Sequence, residues 1–124
     1  MILFRIDNLK EKRGIWRTWE GEFRPVFDDI IPNGKNRNLP MEDNPIYYGG
    51  WFAACESLET LSEWVPFDDM DELEKAGFCI TKWSVNECYT KKLNPKETIF
   101  KRKCAKLLEK LPSLFFLCLK SAKL

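Results

Sequence analysis

The side chains that most often carry nucleophilic or metal chemistry are scarce in this sequence. It contains no histidine, so no Ser-His or Cys-His pair can form within the chain. The phosphate-binding glycine loops of the common nucleotide-binding folds are absent too. Five cysteines stand without the close C-x-x-C spacing of zinc sites: Cys55, Cys79, Cys88, Cys104 and Cys118. We expect free, mostly buried thiols in a reducing compartment, with no metal and no other cofactor.

Charge is distributed unevenly along the chain although its net value is only +1. Residues 38–74 hold ten acidic and no basic side chains, whereas residues 75–124 hold twelve basic and three acidic ones. An acidic surface can meet a basic surface of a partner protein, because complementary potentials speed encounter and set orientation. We predict that seven of these acids bind a partner: Glu56, Glu59, Glu63, Asp68, Asp69, Asp71 and Glu72. The alternative is a solvated helix face that basic residues of the C-terminal part neutralise.

Two tryptophans near the amino terminus add to the prediction of partner binding. Trp16 and Trp19 lie among arginines and a phenylalanine in IWRTWEGEFR, and Trp and Arg are enriched at hot spots of protein interfaces. Both cannot point inward from one regular strand, because side chains alternate between its two faces. We expect one of the two to be exposed and to take part in binding.

The basic part of the chain favours a second kind of partner. Lysines and arginines recur from Lys91 to Lys110, and such a stretch can contact phosphates without sequence preference. The residues predicted to make this nucleic-acid contact are Lys101, Arg102, Lys103 and Lys106. No known base-reading motif accompanies them, so a nucleic-acid-binding module is an alternative to protein binding.

A catalytic alternative depends on the order of three polar residues. Arg5 stands on the first predicted strand, Ser57 follows GWFAACE before a helical stretch, and Glu87 ends WSVNE. This order resembles the Arg, Ser, Glu order of ADP-ribosyltransferase-like domains. The resemblance implies that the arginine and serine help to hold NAD and that the glutamate orients the attacking group. The S-T-S motif and the E-x-E pair of that family are not present here, so a noncatalytic protein is the preferred interpretation.

Helices and strands that position these residues can be predicted from the hydrophobic pattern. Alternation predicts a strand over residues 2–6, and a hairpin of residues 15–19 and 22–27 whose second arm Pro25 confines to an edge or bulge. Residues 28–50 are rich in proline, glycine and asparagine, which predicts a long irregular loop.

The acidic part has the spacing of two helices. Ser57 is a favourable N-cap for the first, which Pro66 ends. Residues 69–72 have the form of a capping box for the second, and Gly77 stands where a C′ glycine belongs.

The remaining sequence predicts strands over residues 78–86 and 97–101, which could pair as a hairpin. Residues 102–111 predict a basic helix with its three leucines facing inward. The final apolar segment, residues 113–124, predicts a further packed element, either a strand or a short helix. An exposed partner-binding face and weak attachment to an anionic membrane surface are its alternatives.

Together these patterns predict one α+β domain over residues 1–124, mostly antiparallel sheet with two or three short helices. Arg5 and Asp7 interrupt any secretory signal, and no apolar run approaches the about 20 residues of a spanning helix. We therefore expect a cytoplasmic protein.

The combination of small size, segregated charge, many aromatic residues and no catalytic signature resembles a type of protein rather than a motif. It is similar to the small proteins that bacteriophages and mobile elements encode to block host defence, such as anti-CRISPR proteins. The resemblance implies a noncatalytic inhibitor that acts in the bacterial cytoplasm and binds a defence protein or complex through its acidic surface.

Overall fold

The computed structural model describes residues 1–34 and 50–117. In this part of the chain, two antiparallel three-stranded sheets pack with short helices, so the expected α+β class is confirmed. The strands are β1 (Ile2–Asp7), β2 (Trp51–Ala54), β3 (Cys79–Val85), β4 (Thr90–Asn94), β5 (Glu97–Lys101) and β6 (Ala105–Leu111). The helices are α1 (Val26–Asp29), α2 (Leu58–Trp64) and α3 (Phe67–Lys75).

The first sheet has the order β1-β3-β6 and the second the order β2-β5-β4, and one long hairpin contributes to both. Val85 pairs with Ala105 in the first sheet, and Thr90 pairs with Phe100 in the second. Between these pairs, each arm makes a 3-10 turn, at Glu87–Tyr89 and at Arg102–Cys104. Because both arms turn at the same place, the hairpin bends and its two halves enter different sheets. Residues 86–89 and 101–104 are called the hairpin kink below.

The predicted partner of residues 97–101 is wrong, since β5 pairs with β4 and β2 rather than with β3. The predicted basic helix over residues 102–111 is also wrong, because β6 lies antiparallel to β3 there. Tertiary pairing overrides the helical preference of its lysines and leucines. Leu111 is buried, Leu107 is half-buried, and Leu108 is 44% exposed beside the bulge in the β3–β6 ladder.

The predicted hairpin around Glu20 is only partly present. Its arms are not regular strands, and Arg17 and Phe23 form an isolated antiparallel bridge across the turn. The second arm ends early because Pro25 caps α1, with a φ of −62° that suits the residue before a helix. Gly21 allows the tight reversal, since its φ is +100°.

The predicted first helix of the acidic part is confirmed, but the predicted start of the second helix is wrong. Ser57 caps α2, and its side chain accepts a hydrogen bond from the Thr60 N–H. The helix α3 starts at Phe67 directly after Pro66, so residues 69–72 lie inside the helix instead of forming a capping box. Gly77 has the expected left-handed conformation, with a φ of +98°.

Two of the predicted segments, the long loop and the C-terminal element, fall partly outside the described residues. Of the predicted loop, residues 28–34 are described and include the end of α1, whereas residues 35–49 lie outside. Of the C-terminal segment, residues 114–117 form a helical turn that buries Phe116, and residues 118–124 lie outside. Leu114, Phe115 and Leu117 are exposed.

Two clusters of apolar side chains form the interior. The larger one packs α2, α3 and residues 26–31 against the first sheet, and includes Ile6, Leu61, Trp64, Met70, Leu73, Phe78 and Ile80. The second lies where the two sheets meet and includes Leu3, Phe52, Ala54, Trp83, Val85 and Phe100. The strand β1 joins them, because Leu3 belongs to one cluster and Ile6 to the other.

Candidate functional site

Most of the acidic residues of α2 and α3 lie on the side of these helices that faces away from the core. Leu61 and Trp64 turn inward from α2, as do Met70 and Leu73 from α3. Of the seven acids predicted to bind a partner, the six that remain at least partly exposed form what is called the acidic surface: Glu56, Glu59, Glu63, Asp68, Asp71 and Glu72.

Lysines from the second sheet reach the acidic surface. The Lys92 ammonium lies 2.9 Å from a Glu56 carboxylate oxygen, and that of Lys96 lies 3.1 Å from Glu63. All four side chains are exposed to water, so each pair is worth at most about 1 kcal/mol. The β4–β5 hairpin thus neutralises one end of the acidic surface, as the alternative interpretation of the charge pattern expects.

A third lysine lies on the helix itself. Lys75 ends α3 and is 3.4 Å from Asp71 and 3.7 Å from Glu72. Its hydrogen bond to Asp71, with the attraction of both carboxylates, raises the pKa of Lys75. The positive charge also suits the C-terminus of a helix.

Asp69 differs from the other acids predicted to bind a partner. Its role in partner binding stays a prediction, but the residue is only 6% exposed and so is not part of the open surface. The reason is the earlier start of α3, which places Asp69 beside Met70 on the inner half of the helix. A groove of about 510 Å³ runs between residues 30–34 and this side of α3. It is lined by Ile30, Ile31, Pro32, Asn33, Gly34, Asp68, Asp69, Asp71 and Glu72.

Neither tryptophan predicted at the interface projects freely from the surface. Trp19 is half-buried, donates its indole N–H to Asp7 at 3.0 Å and packs on Phe52 at 5.3 Å between ring centres. Trp16 is also half-buried and stacks on Phe23 at 6.0 Å. Phe23 is 52% exposed, so it is the phenylalanine and not a tryptophan that faces water.

Arg5 of the catalytic alternative is held inside the fold. Its guanidinium donates to both carboxylate oxygens of Asp7 at 2.8–2.9 Å and to the Ala53 carbonyl at 3.2 Å, and it lies 3.9 Å from the centre of the Phe52 ring. Asp7 is fully buried and also accepts from the Thr81 hydroxyl at 2.7 Å. These contacts give Arg5 a role in joining the two sheets.

The other two residues of that alternative have separate surroundings. Ser57 uses its hydroxyl oxygen to cap α2 and donates its proton to the Thr60 hydroxyl at 3.0 Å. Glu87 is exposed in the first 3-10 turn of the hairpin kink. The polar groups of Arg5 and Ser57 are thus engaged by the fold itself, and the assignment of an NAD site to them stays a prediction.

The four basic residues predicted to contact nucleic acid lie together on the kink and the start of β6. Lys101, Lys103 and Lys106 are exposed. Arg102 is half-buried, with its guanidinium 4.5 Å from the centre of the Trp19 ring and its backbone N–H bonded to the Gly50 carbonyl at 2.7 Å.

The four cysteines within the described ranges carry free thiols, but the expectation that the thiols are mostly buried is wrong for them. Cys55 is buried and Cys79 is half-buried, and burial raises the pKa of both thiols. Cys88 and Cys104 are exposed on the hairpin kink. Residues 1–34 and 50–117 contain no group of three or more potential metal ligands. Their helices include none with the length and apolar character needed to cross a bilayer.

The fold and these surfaces define a small α+β protein with an acidic surface on α2 and α3 and a basic hairpin kink. Residues 1–113, which include all six strands, match the family described as Bacteriophage T4 Y00F protein. The chain therefore belongs to this phage protein family. No curated protein and no solved structure shows significant similarity to it.

Proposed function

We propose that this phage protein is a noncatalytic inhibitor that binds a basic surface of a bacterial defence protein or complex, of the CRISPR type, in the cytoplasm of the host. The acidic surface of α2 and α3 carries the proposal. Membership in a phage family agrees with a product that acts on the host.

The segment that carries the acidic surface holds more carboxylates than the lysines that reach it from the described residues. Residues 56–76 contain eight carboxylates and one lysine, and two further lysines, Lys92 and Lys96, reach them. Residues 35–49 contain two basic and two acidic side chains and so carry no net charge of their own. An excess of one sign attracts a partner of opposite sign and orients it before contact.

The groove beside α3 supports a basic partner in particular. Its lining combines Ile30 and Ile31 with the carboxylates of Asp68, Asp71 and Glu72. Arginine and lysine bury an aliphatic stem against apolar surface while their charged heads reach carboxylates. A basic side chain of the partner fits this mixed lining better than an apolar or acidic one.

The proposal is tested by a plating assay in bacteria that carry a defined CRISPR-type defence system. Cells that express the wild-type chain should lose protection, and a targeted phage should plate with higher efficiency. The variant Glu59→Lys/Asp68→Lys/Glu72→Lys should fail to relieve protection, because it replaces exposed carboxylates of the acidic surface by lysines.

A matched control changes the same charge elsewhere. The variant Glu11→Lys/Glu20→Lys/Glu22→Lys reverses three exposed carboxylates of the N-terminal region and should behave as wild type. Circular dichroism and thermal unfolding verify that both triple variants fold.

Direct binding completes the test. Defence complex purified from the same cells should be retained by the immobilised wild-type chain, less strongly at 300 mM than at 50 mM salt, since screening weakens surface electrostatics. Unchanged plating with the wild-type chain in every defence system tried would reject the defence target. Equal activity of the two triple variants would reject the acidic surface as the binding site.

A further inference from the structure

The lysines of the hairpin kink and of the start of β6 differ from two lysines at the other end of the same hairpin. Lys92 and Lys96 each lie about 3 Å from a carboxylate of the acidic surface. Within residues 1–34 and 50–117, no carboxylate lies within 4.0 Å of Lys101, Lys103 or Lys106. The kink itself contains three basic residues and one acidic residue, Glu87, so it presents net positive charge that the described part of the chain leaves unpaired.

Aromatic rings accompany this charge. Tyr89, on the first turn of the kink, is 40% exposed. Lys101 pairs across the ladder with Trp51, and its ammonium lies 5.6 Å from the centre of that half-buried ring. On the second turn, Arg102 rests on Trp19.

Arg102 is fixed by its contacts but not neutralised by them. Arg102 is held in place by the ring of Trp19 and by the hydrogen bond from the Arg102 backbone N–H to the Gly50 carbonyl. The buried Nε of Arg102 has no acceptor among the described residues. A guanidinium fixed in this way keeps its charge available to an anion at low cost in side-chain entropy.

We propose that the hairpin kink binds single-stranded nucleic acid, with phosphates on Lys101, Lys103 and Lys106 and a base stacked on Tyr89. Proteins that bind single strands without sequence preference combine cations along the backbone with aromatic rings on which bases stack. Duplex readers insert a helix or a two-stranded ribbon into the major groove, whereas the kink consists of two short 3-10 turns. This site is separate from the acidic surface and does not depend on the function proposed for it.

The experiment measures the fluorescence anisotropy of a labelled 12-nucleotide oligothymidylate on addition of the protein. Binding should be detectable at 50 mM salt and should weaken about 20- to 50-fold at 200 mM, as the release of counterions from three or four phosphates of a single strand requires. Absence of binding at 50 mM salt would reject the proposal.

Charge reversal locates the site. The variant Lys101→Glu/Lys103→Glu should weaken binding by about tenfold or more, because it removes two of these phosphate contacts and adds repulsion. The control Lys10→Glu/Lys110→Glu makes the same change in net charge at two exposed residues. Lys110 pairs with Thr81, and Lys10 follows β1, so both lie toward the end of the first sheet that is farther from the kink. This control should therefore bind nearly as tightly as the wild type. Equal losses in the two variants would show a diffuse attraction and contradict the proposal.

Replacement of Tyr89 distinguishes a nucleic acid from other anions. Tyr89→Ala removes an exposed ring without a change in net charge and should weaken binding about fivefold or more, whereas Tyr89→Phe should retain binding. A 12-base-pair duplex and polyglutamate should bind less tightly than the single strand. If Tyr89→Ala binds as wild type, or if either competitor binds as tightly as the oligothymidylate, the kink is a general polyanion surface and the proposed ligand is wrong.

Discussion

The buried charges of β1 and the exposed charges of the acidic surface differ in how strongly each depends on its ion-pair partner. The Arg5–Asp7 pair has side chains that are 9% and 0% exposed, whereas those of Lys92 and Glu56 are 54% and 41% exposed. A buried charge that loses its partner cannot recover hydration, but an exposed one can. The first pair therefore holds the fold together, and the second can exchange its internal partner for an external one at little cost.

Removal of the buried carboxylate should have the largest effect on stability. Asp7→Ala leaves the Arg5 guanidinium buried without its partner and also removes the acceptor of Trp19 and Thr81. We expect a loss of about 3–5 kcal/mol in the free energy of unfolding, measured by urea denaturation.

A second variant separates uncompensated charge from lost packing. Arg5→Met/Asp7→Ala removes both charges and should be more stable than Asp7→Ala alone, because no unpaired ion remains in the interior. Asp28→Ala, at an exposed carboxylate of α1, should change stability by less than about 0.5 kcal/mol. A loss in Asp7→Ala no larger than that of Asp28→Ala would contradict a structural role of the buried pair.

The helix cap at the edge of the acidic surface should show an intermediate effect. Ser57→Ala removes the acceptor of the Thr60 N–H and should cost about 1 kcal/mol of unfolding free energy, whereas Ser57→Asp should retain most of it because aspartate is also a good N-cap. The same variants test the catalytic alternative, in which Ser57 holds NAD. If the wild type binds NAD and a folded Ser57→Ala variant does not, the loss of binding is not explained by lower stability. That result would favour the enzyme.

Elements fixed by local signals could be predicted from the sequence, whereas those fixed by distant partners could not. The cap at Ser57, the glycine at Gly77 and the alternation of residues 2–6 each act within a few residues, and the structure confirms them. The strand β6 has a sequence that suits a helix, and only its pairing with β3, twenty or more residues earlier, makes it extended. The hairpin kink follows from the same pairing and has no local signature.

The candidate surfaces were predictable to a similar degree. The separation of acidic and basic segments is a property of the sequence, and it correctly indicated α2 and α3 as the acidic surface. The burial of Asp69 depends on the start of α3, which Pro66 shifts. The pairing of Lys92 with Glu56 joins residues 36 positions apart, so no sequence pattern shows which lysines are neutralised.

That pairing leads to the smallest expected effect, a coupling between Glu56 and Lys92. A double-mutant cycle with Glu56→Gln, Lys92→Gln and the double variant isolates their interaction, because the two side chains meet at 2.9 Å and both are accessible to water. We expect a coupling of about 0.2–1 kcal/mol in the free energy of unfolding at 50 mM salt, which should decrease at 500 mM as the charges are screened. A coupling above about 2 kcal/mol would show that the pair is structural, like Arg5–Asp7, and would leave Glu56 unable to exchange Lys92 for a basic partner. A small coupling would mean that the acidic surface can release its own lysine when a partner binds.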